Sequence, residues 1–268
     1  YNESKLELRS ENRLSGVISK AVQILDLLLP QGTEKDMSVT EISKALNMPV
    51  QSVHRLLTSL AEHGFVAQNT KTKRYKLGLS IMKYGFLMWD SLMLRTIARP
   101  FMEEISKQTK ETVYLSVREN AEGIYIDSVD SPQVLKISEP IGLRLPLFIG
   151  ASNRVILAFL NPMLQKTIMD SFEWSEATSL KAFLRKDVEQ ELLTIKQNGY
   201  AISISEATEG TTGIGAPIFS YENTVIGSLN VAGPSIRFGE VNIEKYSNMV
   251  KKYANLISNE LGYRGRVR

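Results

Sequence analysis

From Val17 onward the apolar residues fall into a helical stripe: Val17, Ala21, Ile24, Leu25 and Leu28, ending near Pro30. Spacings of three and four residues put them on one face of a helix. Residues 1–13 are polar, mixed in charge and without a period, and read as a flexible tail; Gln31–Met37 reads as a loop. Ser38-Val39-Thr40-Glu41 then matches a capping box, with Ser38 as N-cap and Glu41 reaching back to it. The short helix it opens carries Val39, Ile42 and Leu46 on one face. Asn47-Met48 forms a tight turn, and Pro49 suits the first turn of a third helix, where its missing N–H leaves no hydrogen bond unmade. Val53, Leu56, Leu57 and Leu60 line that helix, and Gly64 stops it. Two strand-like runs, Phe65–Gln68 and Arg74–Leu77, flank polar Asn69–Lys73 and predict a β-hairpin that closes at Gly78.

Residues 79–110 are predicted helical and apolar on nearly every side, through Leu79, Ile81, Met82, Tyr84, Phe86, Leu87, Met88, Trp89, Leu92, Met93 and Leu94. Such a helix needs cover all round, and a second subunit is a natural source of it. Pro100 is expected to kink or restart it. Beyond residue 110 the predicted strands are Thr112–Arg118, Ile124–Val129, Val134–Ser138, Tyr200–Ile204, Gly213–Ser220 and Val225–Ala232. The predicted helices are Arg154–Leu160, Met163–Ser171, Asp187–Asn198 and Val241–Leu261. Strands that follow one another before a helix intervenes favour an antiparallel α+β arrangement. The expected division is a tail (1–13), a winged helix-turn-helix (14–78), a linking and dimerising helix (79–96) and an α+β domain (97–268).

The chain has 268 residues, of which 43% are hydrophobic and 23% charged, enough to bury a core and against wholesale disorder. It has no Cys, which rules out thiolate metal sites and disulfides and fits a cytoplasmic protein. No apolar run approaches the ~18 residues of a membrane helix. Charge is uneven: residues 1–78 hold 11 Lys/Arg against 8 Asp/Glu, whereas residues 79–268 hold 21 of each. A polyanion is therefore expected at the N-terminal third.

The third helix shows where. Opposite its apolar stripe lie Gln51, Arg55 and Thr58, with Ser52 and His54 on the flanks. Arg pairs with guanine, Gln with adenine, and hydroxyls with bases or phosphates. The hairpin that follows carries Lys71, Lys73, Arg74 and Lys76, with no acid from Asn69 to Gly78. Basic residues beside a reading helix position it on the phosphate backbone. The candidate DNA-binding set is Gln51, Ser52, His54, Arg55, Thr58, Lys71, Lys73 and Arg74. An enzyme is disfavoured: the two His, His54 and His63, stand nine residues apart, not at the i, i+4 spacing of a metal pair. No phosphate-binding or nucleophile-elbow motif appears. No metal or cofactor is expected.

Residues 38–85, SVTEISKALNMPVQSVHRLLTSLAEHGFVAQNTKTKRYKLGLSIMKYG, resemble the winged helix-turn-helix of IclR-type transcription regulators. Residues 199–238, GYAISISEATEGTTGIGAPIFSYENTVIGSLNVAGPSIRF, resemble the C-terminal stretch of the same family. The likeness runs from about Ser15 to about Leu261. It implies a GAF-like C-terminal fold with a pocket for a small organic acid or aromatic effector, and a homodimer or dimer of dimers on a pseudo-palindromic operator, as repressor or activator. The implied lining comprises Leu145, Phe148, Gly150, Ala151, Ser152, Ser203, Glu206, Gly213, Asn230 and Ala232. Free N–H groups at Gly150–Asn153, where a helix begins, suit a carboxylate. The chain departs from the family in having Asn230 and Ala232 where hydroxyl residues are common, and Asn153-Arg154 where Gly-Lys is usual.

Overall fold

The computed structural model describes residues 4–29, 36–84, 93–172, 174 and 184–265, with side chains from residue 16. The chain divides into two compact units, Tyr1–Ser91 and Leu92–Arg268.

The first unit holds α1 (Ser4–Leu27), α2 (Val39–Ala45), α3 (Val50–Glu62), β1 (Val66–Gln68) and β2 (Tyr75–Leu77). Ile24 and Leu28 of the first stripe, Ile42, Val53, Leu57, Val66 and Tyr75 close one small core. The expected tail is corrected here: residues 4–13 continue α1. They contain no Gly or Pro and are rich in Leu, Lys, Arg and Glu, which favour helix even without an apolar period. The capping box forms as expected, with Ser38 N–H donating to Glu41 Oε2 at 2.7 Å and Glu41 N–H to Ser38 Oγ at 3.3 Å. Pro49 stands at the N-cap of α3, one residue earlier than expected. Gly64 takes the left-handed conformation (φ +72°) that ends α3. β1 and β2 pair antiparallel, Val66 opposite Leu77. Met37 adds an unexpected third rung, exchanging backbone hydrogen bonds with Tyr75 at 2.9 and 2.7 Å. Residues 80–84 are helical. Residues 85–92 of the expected linking helix lie outside the described residues.

The second unit holds α4 (Met93–Thr109), β3 (Thr112–Glu119), β4 (Glu122–Val129), β5 (Arg144–Pro146), α5 (Ala151–Phe159), α6 (Pro162–Ser171), α7 (Arg185–Asn198), β6 (Ala201–Ile204), β7 (Thr211–Phe219), β8 (Val225–Pro234), a 3-10 turn (Ser235–Arg237) and α8 (Glu240–Glu260). The six strands form one sheet, ordered β5-β4-β3-β8-β7-β6, with every neighbour antiparallel. Strand side chains alternate between faces. Val113, Leu115, Ile214, Ala216, Leu229 and Val231 meet Leu94, Ala98, Met102 and Ile105 of α4 and Val250, Ala254 and Ile257 of α8. Burying each large aliphatic there is worth roughly 1.5–3 kcal/mol. The other face carries α5, whose Val155, Ile156 and Leu157 join α6 and α7 in a second core.

Three expectations are corrected. α4 continues through Pro100 rather than restarting there. Ala98 and Met102 on either side are both fully buried, and that burial offsets the ~3 kcal/mol an interior proline costs. Leu94 belongs to the C-terminal core rather than to a linker reaching residue 96. Val134–Ser138 is not a strand. It lies between Pro132 and Pro140 and is tied instead by Thr112 Oγ1 donating to the Ile137 carbonyl at 2.8 Å. The fourth strand's outer partner is the short β5, with Glu122 opposite Pro146.

Candidate functional site

The N-terminal surface is built by α3 and the hairpin. Burial of Val53 and Leu57 turns Gln51, His54, Arg55 and Thr58 outward, all exposed, while Ser52 is half-buried. Thr58 Oγ1 donates to the His54 carbonyl at 3.0 Å, the usual tie of a helical threonine. Arg55, Lys71 and Lys73 are exposed and have no ion-pair partner among the described residues. The hairpin tip is shaped by Asn69, whose Oδ1 accepts from the N–H groups of Lys71 (2.9 Å) and Thr72 (3.1 Å). Lys73 adopts a positive φ of 59° to close the turn.

Arg74 differs from its neighbours. Its Nε meets Asp36 Oδ1 at 2.7 Å and its Nη2 meets Glu41 Oε2 at 2.9 Å. The guanidinium thus braces the hairpin against the start of α2. Glu41 is held below the ordinary carboxylate range, first by the backbone and hydroxyl bonds from Ser38 and then by Arg74. One signal went unread in the sequence. From Ile42 to Trp89 the only acid is Glu62, against seven Lys/Arg, so the cationic character extends well beyond the hairpin.

In the C-terminal unit a cleft opens between the α5 side of the sheet and the segments around Ile137–Leu143 and Glu206–Thr212. Its empty space is about 500 Å³ with the open mouth included. The expected residues Leu145, Gly150, Ala151, Ser152, Ser203, Glu206, Gly213, Asn230 and Ala232 all line it. Phe148 does not. It is buried among Phe172 and Trp174, with ring centroids 4.7 and 5.2 Å away, because its position after Leu147 turns it into the second core.

Tyr114, Tyr125, Glu139, Thr208 and Thr212 are among the further lining residues that were not anticipated. Tyr114 lies opposite Asn230 in the sheet register, so the alternation that placed Asn230 also places Tyr114 on this face. The two tyrosine rings stack at 4.7 Å. Burial pushes the pKa of both phenols up, and for Tyr125 a hydrogen bond with Ser152 opposes that rise in part. Both are neutral, hydrogen-bonding groups at physiological pH. Tyr114 OH accepts from the Glu139 N–H at 2.8 Å, and Thr208 donates to Glu139 Oε1 at 2.9 Å, joining two sides of the mouth.

The start of α5 lies close on β7. A Cβ on Gly215 would come within 2.9 Å of the Ala151 carbonyl, so only glycine admits this approach. Of the N–H groups expected to seat a carboxylate, that of Gly150 already donates to Glu206 Oε2 at 2.9 Å. The same oxygen accepts from Arg154 Nη1. Arg154 is only 1% exposed. Its Nη2 also reaches the Ile202 carbonyl at 2.8 Å and Glu191 at 3.0 Å. Asn153 and Arg154, the departures from the family pattern, are thus both buried struts.

Comparisons with known proteins agree with both halves. Residues 17–70 match the IclR helix-turn-helix domain, and residues 86–259 match the C-terminal domain of bacterial IclR transcriptional regulators. The HTH-type transcriptional regulator KipR of Bacillus subtilis is 34% identical over 249 residues, 92% of this chain and 97% of that protein. The crystal structure of the Thermotoga maritima IclR superposes with a TM-score of 0.76 at 31% identity, covering 93% of this chain and all of the other. An IclR homologue from Microbacterium hydrocarbonoxydans, crystallised with 4-hydroxybenzoate, shares the fold at a TM-score of 0.74 and 19% identity, over 91% of this chain and 98% of its own. The chain therefore belongs to the IclR family, as a DNA-binding transcription regulator with a C-terminal effector-binding domain rather than an enzyme.

Proposed function

We propose that Gln51, Arg55 and Thr58 of α3 read base edges in a major groove, with Ser52 and His54 at the flanks. Lys71 and Lys73 hold the adjoining phosphates, and Arg74 fixes the hairpin that carries them. The observation behind this reading is that Arg55, Lys71 and Lys73, on one acid-poor stretch of chain, are exposed and have no ion-pair partner among the described residues. A cation already bonded to a carboxylate has less to offer a phosphate, and these three are not so bonded.

The working unit is a homodimer, or a dimer of dimers, on a pseudo-palindromic operator in the cytoplasm. Its two reading helices stand about one helical turn (~34 Å) apart. Exposed Val17, Ile18 and Val22 on α1 and exposed Leu79 and Met82 support a second copy, since these large apolar side chains are 47–81% exposed in one chain. The C-terminal cleft holds a small organic effector, and effector and DNA alter each other's affinity reciprocally.

Arg55→Ala tests the reading. Binding to the operator should weaken by about 1–3 kcal/mol and lose base preference at one position. Equal weakening on random duplex would remove Arg55 from base reading.

A further inference from the structure

The polar groups of the cleft carry a more specific message about its occupant. Among the described lining residues none is Lys, Arg or His, while two, Glu139 and Glu206, are carboxylates. The buried cation nearby, Arg154, is outside the lining and bonded to Glu206. The helix-end N–H of Gly150 is likewise given to Glu206. A ligand carboxylate entering here would lose its water shell with no cation to meet it, and would face Glu206 across a short distance. A ligand cation gains little either, because Arg154 already balances Glu206.

What remains open to a ligand is neutral. Asn230 is 3% exposed, lines the cleft, and its Oδ1 has no hydrogen-bond partner. Across from it stands Ser203. A Cβ on Gly213 would lie 3.1 Å from Ser203 Oγ and 3.3 Å from Asn230 Oδ1, so glycine at 213 keeps the space between these two groups clear. Amide and hydroxyl groups donate and accept alike, which matches the hydroxyls and amides of a ligand, and an unsatisfied buried amide oxygen gains when a donor arrives.

Resting on the reading of this cleft as the effector site, we propose that it accepts an uncharged small molecule bearing hydroxyl or amide groups, bound by Asn230 and Ser203. Glu206 is a built-in carboxylate standing where a ligand's own carboxylate would otherwise sit.

The test is calorimetric titration of the full chain with matched pairs: D-ribose and D-ribonate, lactamide and lactate, benzamide and benzoate. The neutral member of at least one pair should bind with a Kd at least about tenfold below its acid, a gap of ~1.4 kcal/mol. Asn230→Leu should abolish that binding, and Glu206→Gln should narrow the gap. Should the glutamine variant fail to fold, the Asn230 variant and the wild-type ranking still decide. An acid that binds as well as its neutral partner overturns the proposal, as does a panel in which no neutral member binds. If an acid binds and Asn230→Leu abolishes it, the cleft remains the effector site and only the ligand class falls. If Asn230→Leu leaves binding unchanged, the assignment of the cleft itself falls.

Discussion

On α3 and the hairpin, Arg55, Lys71 and Lys73 stand exposed without an ion-pair partner among the described residues. Around the cleft and its sheet the arginines are spent on the protein itself: Arg154 on Glu206 and Glu191, Arg237 on Glu111 at 2.5 Å, Arg99 on Asp127 at 3.0 Å. The same residue type therefore does two jobs. Unpaired on a surface, it is available to a polyanion, whose binding releases condensed counterions. Paired with a carboxylate, it fixes a wall and leaves the cleft with no cation among its described lining residues. Arg74 marks the boundary between these uses, since it lies in the basic hairpin yet is tied to Asp36 and Glu41.

The sharpest way to break this contrast is to remove a buried strut. Arg154→Ala strands Glu206 without its cation, and losing one partner of a buried pair costs about 3–5 kcal/mol. Chemical denaturation should show that loss in the C-terminal unit, and a loss under about 1 kcal/mol would mean that the pair bears little of the structure. Asn230→Leu should be milder for the fold but should remove the effector response, worth about 1–3 kcal/mol of ligand binding. Operator binding without effector should stay as in the wild type, and a normal response would take Asn230 out of the pocket. Smallest is the effect of Glu41→Gln, read as melting temperature against pH. The folded carboxylate titrates below its ordinary 4.5, so its contribution is present above that pH and disappears as pH falls through the lowered value. Wild type should melt higher than the variant at neutral pH, and the difference should close in acid. A difference independent of pH would detach the carboxylate's charge from the cap.

Much of this was readable before any coordinates. The i, i+3, i+4 spacing of Val53, Leu56, Leu57 and Leu60 fixed which side of α3 faces out, and Ser38 and Glu41 announced α2 through purely local chemistry. Alternation along Val225–Ala232 located Asn230 and Ala232 on the cleft face. What stayed hidden depends on distant partners. Arg74 and Asp36 are 38 positions apart, and Arg154 and Glu206 are 52 apart. No pattern along the chain foretells that one basic residue of a hairpin is committed while its neighbours are not. β5 is three residues long and ends in Pro146, too short for a period. Val134–Ser138 has strand-like residues but is held instead through the Ile137 carbonyl by Thr112. Phe148 sits two residues before the lining residue Gly150, in a short irregular stretch whose Leu147, Phe148 and Ile149 all turn into the second core.

The contrast between free and committed cations is tested most directly by the salt dependence of duplex binding, comparing the wild type with Lys71→Ala/Lys73→Ala. Neutralising two phosphate contacts should lower the slope of log Kd against log salt by about 2, on operator and random DNA alike. Arg74→Ala should leave that slope within about 0.5 of wild type. If instead the slope is unchanged in the double lysine variant, or falls mainly in the Arg74 variant, the free cations of the hairpin are not what holds the DNA.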